Sequence, residues 1–235
     1  MTGAIVVPAQ RAEALYERVR SCQRCPLGRT RTLAVPGEGP LNAEVLLIGE
    51  APGANEDRQG RPFVGQAGQF LSELLAAGGL RREDVYICNV LKCRPPSNRD
   101  PLPDEIAQCK DYLDEQIDIV DPLVVVTLGR YSMGRYFPQQ SISRIHGSVK
   151  LIGCRYYVPM FHPAAALHQQ SLRTTILDDF RGLPRVIERA RATGISAVQP
   201  SPVTEVAPEQ PTGAPAVAPN GPTTPQKPEQ VRLFD

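Results

Sequence analysis

Tryptophan is missing from this chain, and aromatic residues make up only 6% of it. The core must rest on aliphatic side chains, and a hydrophobic content of 41% is enough to build one. Charge is also missing in bulk, since 26 basic residues face 25 acidic ones for a net +1. That excludes a polyanion binder acting through a global field and leaves only a local patch for such a role. No apolar run approaches the roughly 20 residues of a membrane-spanning helix. The run Ala4-Ile5-Val6-Val7 is too short for a secretory signal and has no basic flank before it. Together these absences predict a cytoplasmic protein. In that compartment six Cys serve as thiols or metal ligands rather than as disulfides.

One stretch organises what is present. Val45-Leu46-Leu47-Ile48 predicts a buried strand within 44–48. After it comes Gly49-Glu50-Ala51-Pro52-Gly53-Ala54-Asn55-Glu56-Asp57, continuing through Arg61-Pro62-Phe63-Val64-Gly65. A helix then follows over 66–75, with Phe70, Leu71, Leu74 and Leu75 on one face. The connection between strand and helix is far longer than a plain αβ-type link, and Gly and Pro make it both closely approachable and stiff. Further strands are predicted at 85–88, 123–128 and 156–160. Helices are predicted at 10–20, 104–120, 130–137 and, bent at Pro184, 172–192. Residues 142–154 are ambiguous and admit a hairpin around Gly147.

Strands alternating with helices predict an α/β protein, a three-layer α/β/α sandwich around a four-stranded parallel sheet. In such a sheet ligands bind at the carboxyl edge. Four strand ends deliver Glu50, Asn89, Gly129 and His162 to that edge, so an acid, an amide and an imidazole meet in one crevice. Residues 1–192 form the predicted folded domain. From Thr193 onward the composition turns to Pro, Ala, Thr and Val, which predicts a disordered tail over 193–235.

Cys88 and Cys154 sit in apolar strands and are assigned to the core. Cys22 and Cys25 form a CxxC followed by Pro26, while Cys93 lies in Lys92-Cys93-Arg94-Pro95-Pro96 and Cys109 on the predicted helix 104–120. Four thiolates suit structural zinc or an iron–sulfur cluster. The wide second spacing and the Cys-Pro pair lean toward the cluster.

Taken in order, CxxC, GEAPG-x-x-ED, GRPFVG-x-AG, N-x-x-KCRPP-x-NR-x-P, Cys109, V-x-LG and HPA resemble the family 4 uracil-DNA glycosylases. This is the iron–sulfur branch of the uracil-DNA glycosylase superfamily, and the resemblance spans roughly residues 22–180. It implies a [4Fe–4S] cluster on Cys22, Cys25, Cys93 and Cys109. It also implies hydrolysis of the N-glycosidic bond of uracil in single- and double-stranded DNA, after the base has been flipped from the stack. By resemblance, Gly49, Glu50, Ala51, Phe63, Asn89 and His162 contact uracil: Phe63 stacks on it, Asn89 reads its edge, and His162 donates to the developing oxyanion. Glu50 or Glu56 positions water. Arg94, Arg99, Arg144 and His146 are expected on the DNA backbone, with Leu167 as the wedge into the duplex.

Gln230, Leu233 and Phe234 in the last residues resemble the short peptide with which bacterial proteins dock on the DNA sliding clamp. The chain is otherwise expected to act as a monomer. A competing expectation is a catalytically silent iron–sulfur adaptor, tethered to the clamp and bound to DNA.

Overall fold

The computed structural model describes residues 7–193, so the tail and its terminal peptide lie outside the described residues. In chain order the elements are α1 (Pro8–Arg20), α2 (Leu27–Thr30), β1 (Val45–Gly49), α3 (Ala54–Gln59), α4 (Gln66–Ala77) and β2 (Tyr86–Asn89). These are followed by α5 (Pro103–Val120), β3 (Val124–Leu128), α6 (Arg130–Gly134), α7 (Ile142–Ile145) and β4 (Lys150–Ile152). The order closes with β5 (Arg155–Met160), α8 (Pro163–His168), α9 (Leu172–Arg181) and α10 (Leu183–Ala192).

The sheet runs β2-β1-β3-β5-β4. β2, β1, β3 and β5 are parallel, which are the four strands the sequence predicts, and β4 adds an antiparallel edge. β1, β2 and β3 are buried at every position because helices cover both faces of the sheet. Alternate residues serve the two sides. Val45 and Leu47 pack with Phe70, Leu74, Ile176 and Phe180, under α4, α9 and α10. Leu46 and Ile48 pack with Leu113, Ile117 and Met133, under α5 and α6. A third cluster joins Leu15 and Val19 of α1 to Cys109, Tyr112 and Ile119 of α5.

Local chemistry sets the element ends. In α5, Pro103 opens the first turn, and the Glu105 carboxylate turns back to accept the Leu102 N–H at 2.9 Å. The predicted bend at Pro184 is instead a full break at Gly182. Pro184 then lies in the first turn of α10, where its missing N–H costs nothing. The long loop after β1 carries one helix, α3. The ambiguous stretch does contain a hairpin, but its turn is Gly153-Cys154 rather than Gly147. Cys154 is therefore a half-buried turn residue and not part of an apolar strand. The apolar residues around it carry no signal that separates strand from turn.

Candidate active site

β1 and β2 end side by side, with Gly49 paired to Asn89 in the parallel register. Asn89 is 2% exposed, and its Oδ1 accepts no hydrogen bond. A buried acceptor without a donor costs about 1–3 kcal/mol, and a ligand donor entering the crevice would remove that cost. Gly49 keeps the space open. A Cβ there would sit 2.3 Å from Asn89 Oδ1 and 2.6 Å from the Phe63 ring. Glycine at the strand end therefore lets an amide and an aromatic ring converge on one crevice.

Phe63 reaches the crevice through a strained turn. Its φ is +51°, a left-handed conformation that costs a side-chain-bearing residue about 1–2 kcal/mol. The turn is held from both sides. The Arg82 guanidinium donates to Pro62 O at 2.6 Å and to Phe63 O at 3.1 Å. Glu56 Oε1 accepts from the Val64 and Gly65 amides at 2.9 and 2.8 Å, and its Oε2 accepts from Gly53 N at 3.1 Å. Three backbone amides thus occupy the carboxylate of Glu56, which the sequence offers beside Glu50 as a candidate to position water. It serves the loop that presents Phe63. Sequence reasoning misses this brace from Arg82, because no motif surrounds the residue.

His162 follows β5 and caps α8. Its Nδ1 accepts the Ala164 N–H at 3.1 Å, which leaves the proton of the neutral ring on Nε2. Burial pulls the imidazole pKa from 6.5 down to about 4, only partly opposed by the nearby Glu56 charge. At neutral pH the group is therefore an uncharged N–H donor. Its ring lies 5.6 Å from that of Phe63, with the planes 29° apart. Gly129 at the end of β3, with φ +89°, allows the close approach, since a Cβ there would lie 3.1 Å from His162 Cβ.

Glu50 directly follows Gly49 and is half-buried, as is Ala51 beside it. Burial raises the Glu50 pKa, and the Asp100 charge adds to this while Arg130 opposes it. Glu50, Asn89, Gly129 and His162 thus share the carboxyl edge of the sheet, as the topology predicts, and the loop after β1 adds Phe63 to them.

Cys22, Cys25, Cys93 and Cys109 line one cavity together with Arg24, Lys92 and Tyr112. Arg31 Nη1 donates to Cys93 Sγ at 2.8 Å. Burial nonetheless holds the Cys93 thiol at about 11 and raises the Cys109 thiol. Among the described residues no three His, Cys, Asp or Glu side chains are arranged to hold a single metal ion. Cys88 is fully buried in β2.

The expected DNA-surface residues divide. Leu167, at the end of α8, is 42% exposed, and Arg144 is exposed. Arg94 is half-buried and donates to Asn98 Oδ1 at 2.8 Å. Arg99 is exposed and held by both carboxylate oxygens of Glu105 at 2.9 and 2.6 Å, an ion pair that braces the start of α5. His146 packs against Phe161 with ring centroids 4.8 Å apart and planes tilted by 39°, and its Nδ1 pairs with Asp179 at 2.8 Å.

Residues 36–181 match the family model described as the Uracil DNA glycosylase superfamily. The chain is similar to the Type-4 uracil-DNA glycosylase of Sulfurisphaera tokodaii, with 47% identity over 181 residues covering 72% of this chain and 81% of the relative. The Type-4 uracil-DNA glycosylase of Thermotoga maritima is 44% identical over 182 residues, 75% of this chain and 95% of that one. That of Archaeoglobus fulgidus is 44% identical over 188 residues, 76% and 94% of the two chains.

Proposed function

The chain belongs to the uracil-DNA glycosylase superfamily, in its type-4 branch, and on that premise we propose that it excises uracil from DNA with the residues gathered at the sheet edge. The observation that carries this reading is the buried, unpartnered Oδ1 of Asn89 beside the Phe63 ring. A flipped base stacks on Phe63 and places its Watson–Crick edge against Asn89. Uracil presents N3–H to that oxygen. Cytosine presents a lone pair there, so the two acceptors repel.

Cleavage breaks the C1′–N1 bond, and the electron pair leaves with the base. Positive charge develops on the sugar and negative charge on the uracil oxygens. The neutral His162 Nε2–H donates to the developing oxyanion, an interaction worth on the order of 3 kcal/mol in comparable sites. Glu50 faces the sugar cation and orients the water that attacks C1′. Glu56 and Arg82 act at one remove by fixing Phe63. The products are free uracil and an abasic site, the substrate of base-excision repair.

The cysteine cavity supports an iron–sulfur reading: four thiols line it, and the Arg31 guanidinium donates to the Cys93 sulfur. We assign Cys22, Cys25, Cys93 and Cys109 as its ligands. When bound, a [4Fe–4S] cluster supplies a covalent tie between α5 and the loops around it.

The described residues include no helix long and apolar enough to cross a membrane. We place the activity in the cytoplasm, in a monomer whose domain spans residues 1–192 and whose tail docks on the sliding clamp through Gln230, Leu233 and Phe234. Leu167 and Arg144 are the exposed residues on which the wedge and a phosphate contact rest, and His146, with Nδ1 held by Asp179, presents Nε2 to the backbone. Release of uracil from a labelled oligonucleotide tests the activity, and its loss in Asn89→Ala tests the assignment. Normal excision by that variant contradicts the assignment.

A further inference from the structure

A groove of about 390 Å³ lies between α5 and α6, separate from the cysteine cavity. Its lining starts where the uracil crevice ends. Val90 directly follows Asn89, and Arg130 directly follows Gly129, whose backbone lies against His162. Val90 and Leu113 are buried and Ile106 is half-buried, so the floor of the groove is aliphatic. Tyr131 adds a half-buried aromatic ring, with the Arg130 guanidinium 4.8 Å from its centre. An apolar hollow of this size with a few polar groups has the make-up of a small-ligand site.

The charged residues of the groove are Lys110, Arg130 and Arg135, all of them basic. Lys110 and Arg135 share the one carboxylate of Asp114. Arg130 Nη2 donates to Asp100 Oδ2 at 2.5 Å. Three cations are thus paired with two carboxylates, an excess of positive charge that suits a phosphate. The Arg130–Asp100 pair is the one that opens easily. Its side chains are 63% and 64% exposed, and an ion pair so open to water contributes little, so a phosphate displaces Asp100 at small cost.

We propose that the groove receives the base of a nucleotide next to the flipped uracil in the same strand, while the phosphate between them replaces Asp100 on Arg130. This rests on the glycosylase reading. Continuity with the crevice selects the occupant, since a strand that leaves Asn89 and Gly129 passes directly onto Val90 and Arg130. The contact tolerates any sequence, because every base has a flat face to lay on apolar and aromatic side chains. It holds the strand and takes no part in bond cleavage, so its signature is in KM rather than kcat.

The test uses purified full-length protein and single-stranded oligonucleotides with one uracil. The neighbouring nucleotides are left intact, or the 5′ or the 3′ neighbour is replaced by a spacer that lacks a base. Excision from the intact strand by wild type comes first. Its absence overturns the glycosylase reading and the groove with it, and every later result bears on the groove alone. One of the two spacers should raise the wild-type KM about tenfold, the scale of losing one stacked base, with kcat within about twofold. Gly134→Trp fills the groove from its edge, since Gly134 lines it and a Cβ there meets nothing within 4 Å. This variant should raise KM for the intact strand by a similar factor and leave KM for the sensitive spacer strand unchanged. Arg130→Gln should lower the salt dependence of strand binding by about one phosphate contact, and an unchanged slope overturns the exchange with Asp100. Indifference of wild type to both spacers overturns the proposal whether or not Gly134→Trp folds. A folded Gly134→Trp that handles the intact strand as wild type does overturns it as well. Self-association that Gly134→Trp abolishes would assign the groove to a second copy of the chain and overturn it too.

Discussion

The ring of Phe63 lies over that of His162, with centroids 5.6 Å apart and planes at 29°. One residue comes from a strained loop after β1 and the other from the end of β5, so two distant parts of the chain build one slot. The slot is kept open by what Gly49 lacks. Gly49→Ala places a methyl group 2.3 Å from Asn89 Oδ1 and 2.6 Å from the Phe63 ring. This variant is expected to fold, since the collision is with the pocket walls, and to lose uracil excision by about a hundredfold or more, the scale set by denying a buried polar group its partner. Excision kinetics beside circular dichroism check it. Wild-type turnover would mean that the base does not enter here.

Arg82 holds two carbonyls of the Phe63 turn. Arg82→Met keeps the stem and removes both donors. Hydrogen bonds from a charged donor are worth about 1.5–3 kcal/mol each in net terms, and the released turn relaxes from φ +51°. We expect roughly tenfold weaker uracil inhibition and a lower melting temperature, with Arg82→Lys restoring part of both. Equal values for Met and wild type would remove Arg82 from the site.

His162 gives a pH signature. Its pKa falls from 6.5 in the unfolded chain to about 4 in the folded one. Between these values the unfolded chain binds the proton more readily, so acid favours unfolding. The contribution is intact above pH 6.5 and is lost as pH falls through 4, a change on the order of 3 kcal/mol. Glu50 is shifted upward and works in the opposite sense, so the comparison must be with His162→Gln. Chemical denaturation at pH 7 and pH 4.5 should show wild type losing more stability than the variant. Parallel losses would contradict the neutral donor.

Our assignment divides the six cysteines into four ligands and two bystanders. Serine at position 22, 25, 93 or 109 should abolish bound iron and visible absorption. Cys154→Ser should leave both intact, because that residue sits in the β4–β5 turn. Iron analysis of the purified variants decides it, and colour that survives loss of Cys93 or Cys109 would break the assignment.

Much of this site can be read before any coordinates. Gly49, Asn89 and His162 end apolar runs, and a parallel sheet brings such ends together whatever the loops do. Of the four cysteines assigned as ligands, Cys22, Cys25 and Cys93 stand outside helices and strands and Cys109 lies within α5, and their spacing is visible in the sequence. What stays hidden is the set of contacts that only packing creates. Glu56 reads as a free acid beside the pocket until three loop amides are found on it. The ion pair of Arg99 with Glu105 likewise has no signature in the sequence. Arg82 has no motif at all. The break at Gly182 is hidden for another reason, since Pro184 is as acceptable in a helix's first turn as at a bend.

The most direct test is base release. Purified, iron-containing protein is given a labelled oligonucleotide with a single uracil, abasic sites are cleaved with alkali, and Asn89→Ala and His162→Ala are run beside wild type. The wild-type band should be strong. His162→Ala should fall by about two to three orders of magnitude, as removal of an oxyanion donor does, and Asn89→Ala should fall with loss of preference for uracil over cytosine. No band from iron-loaded wild-type protein, or full activity in both variants, would contradict the account.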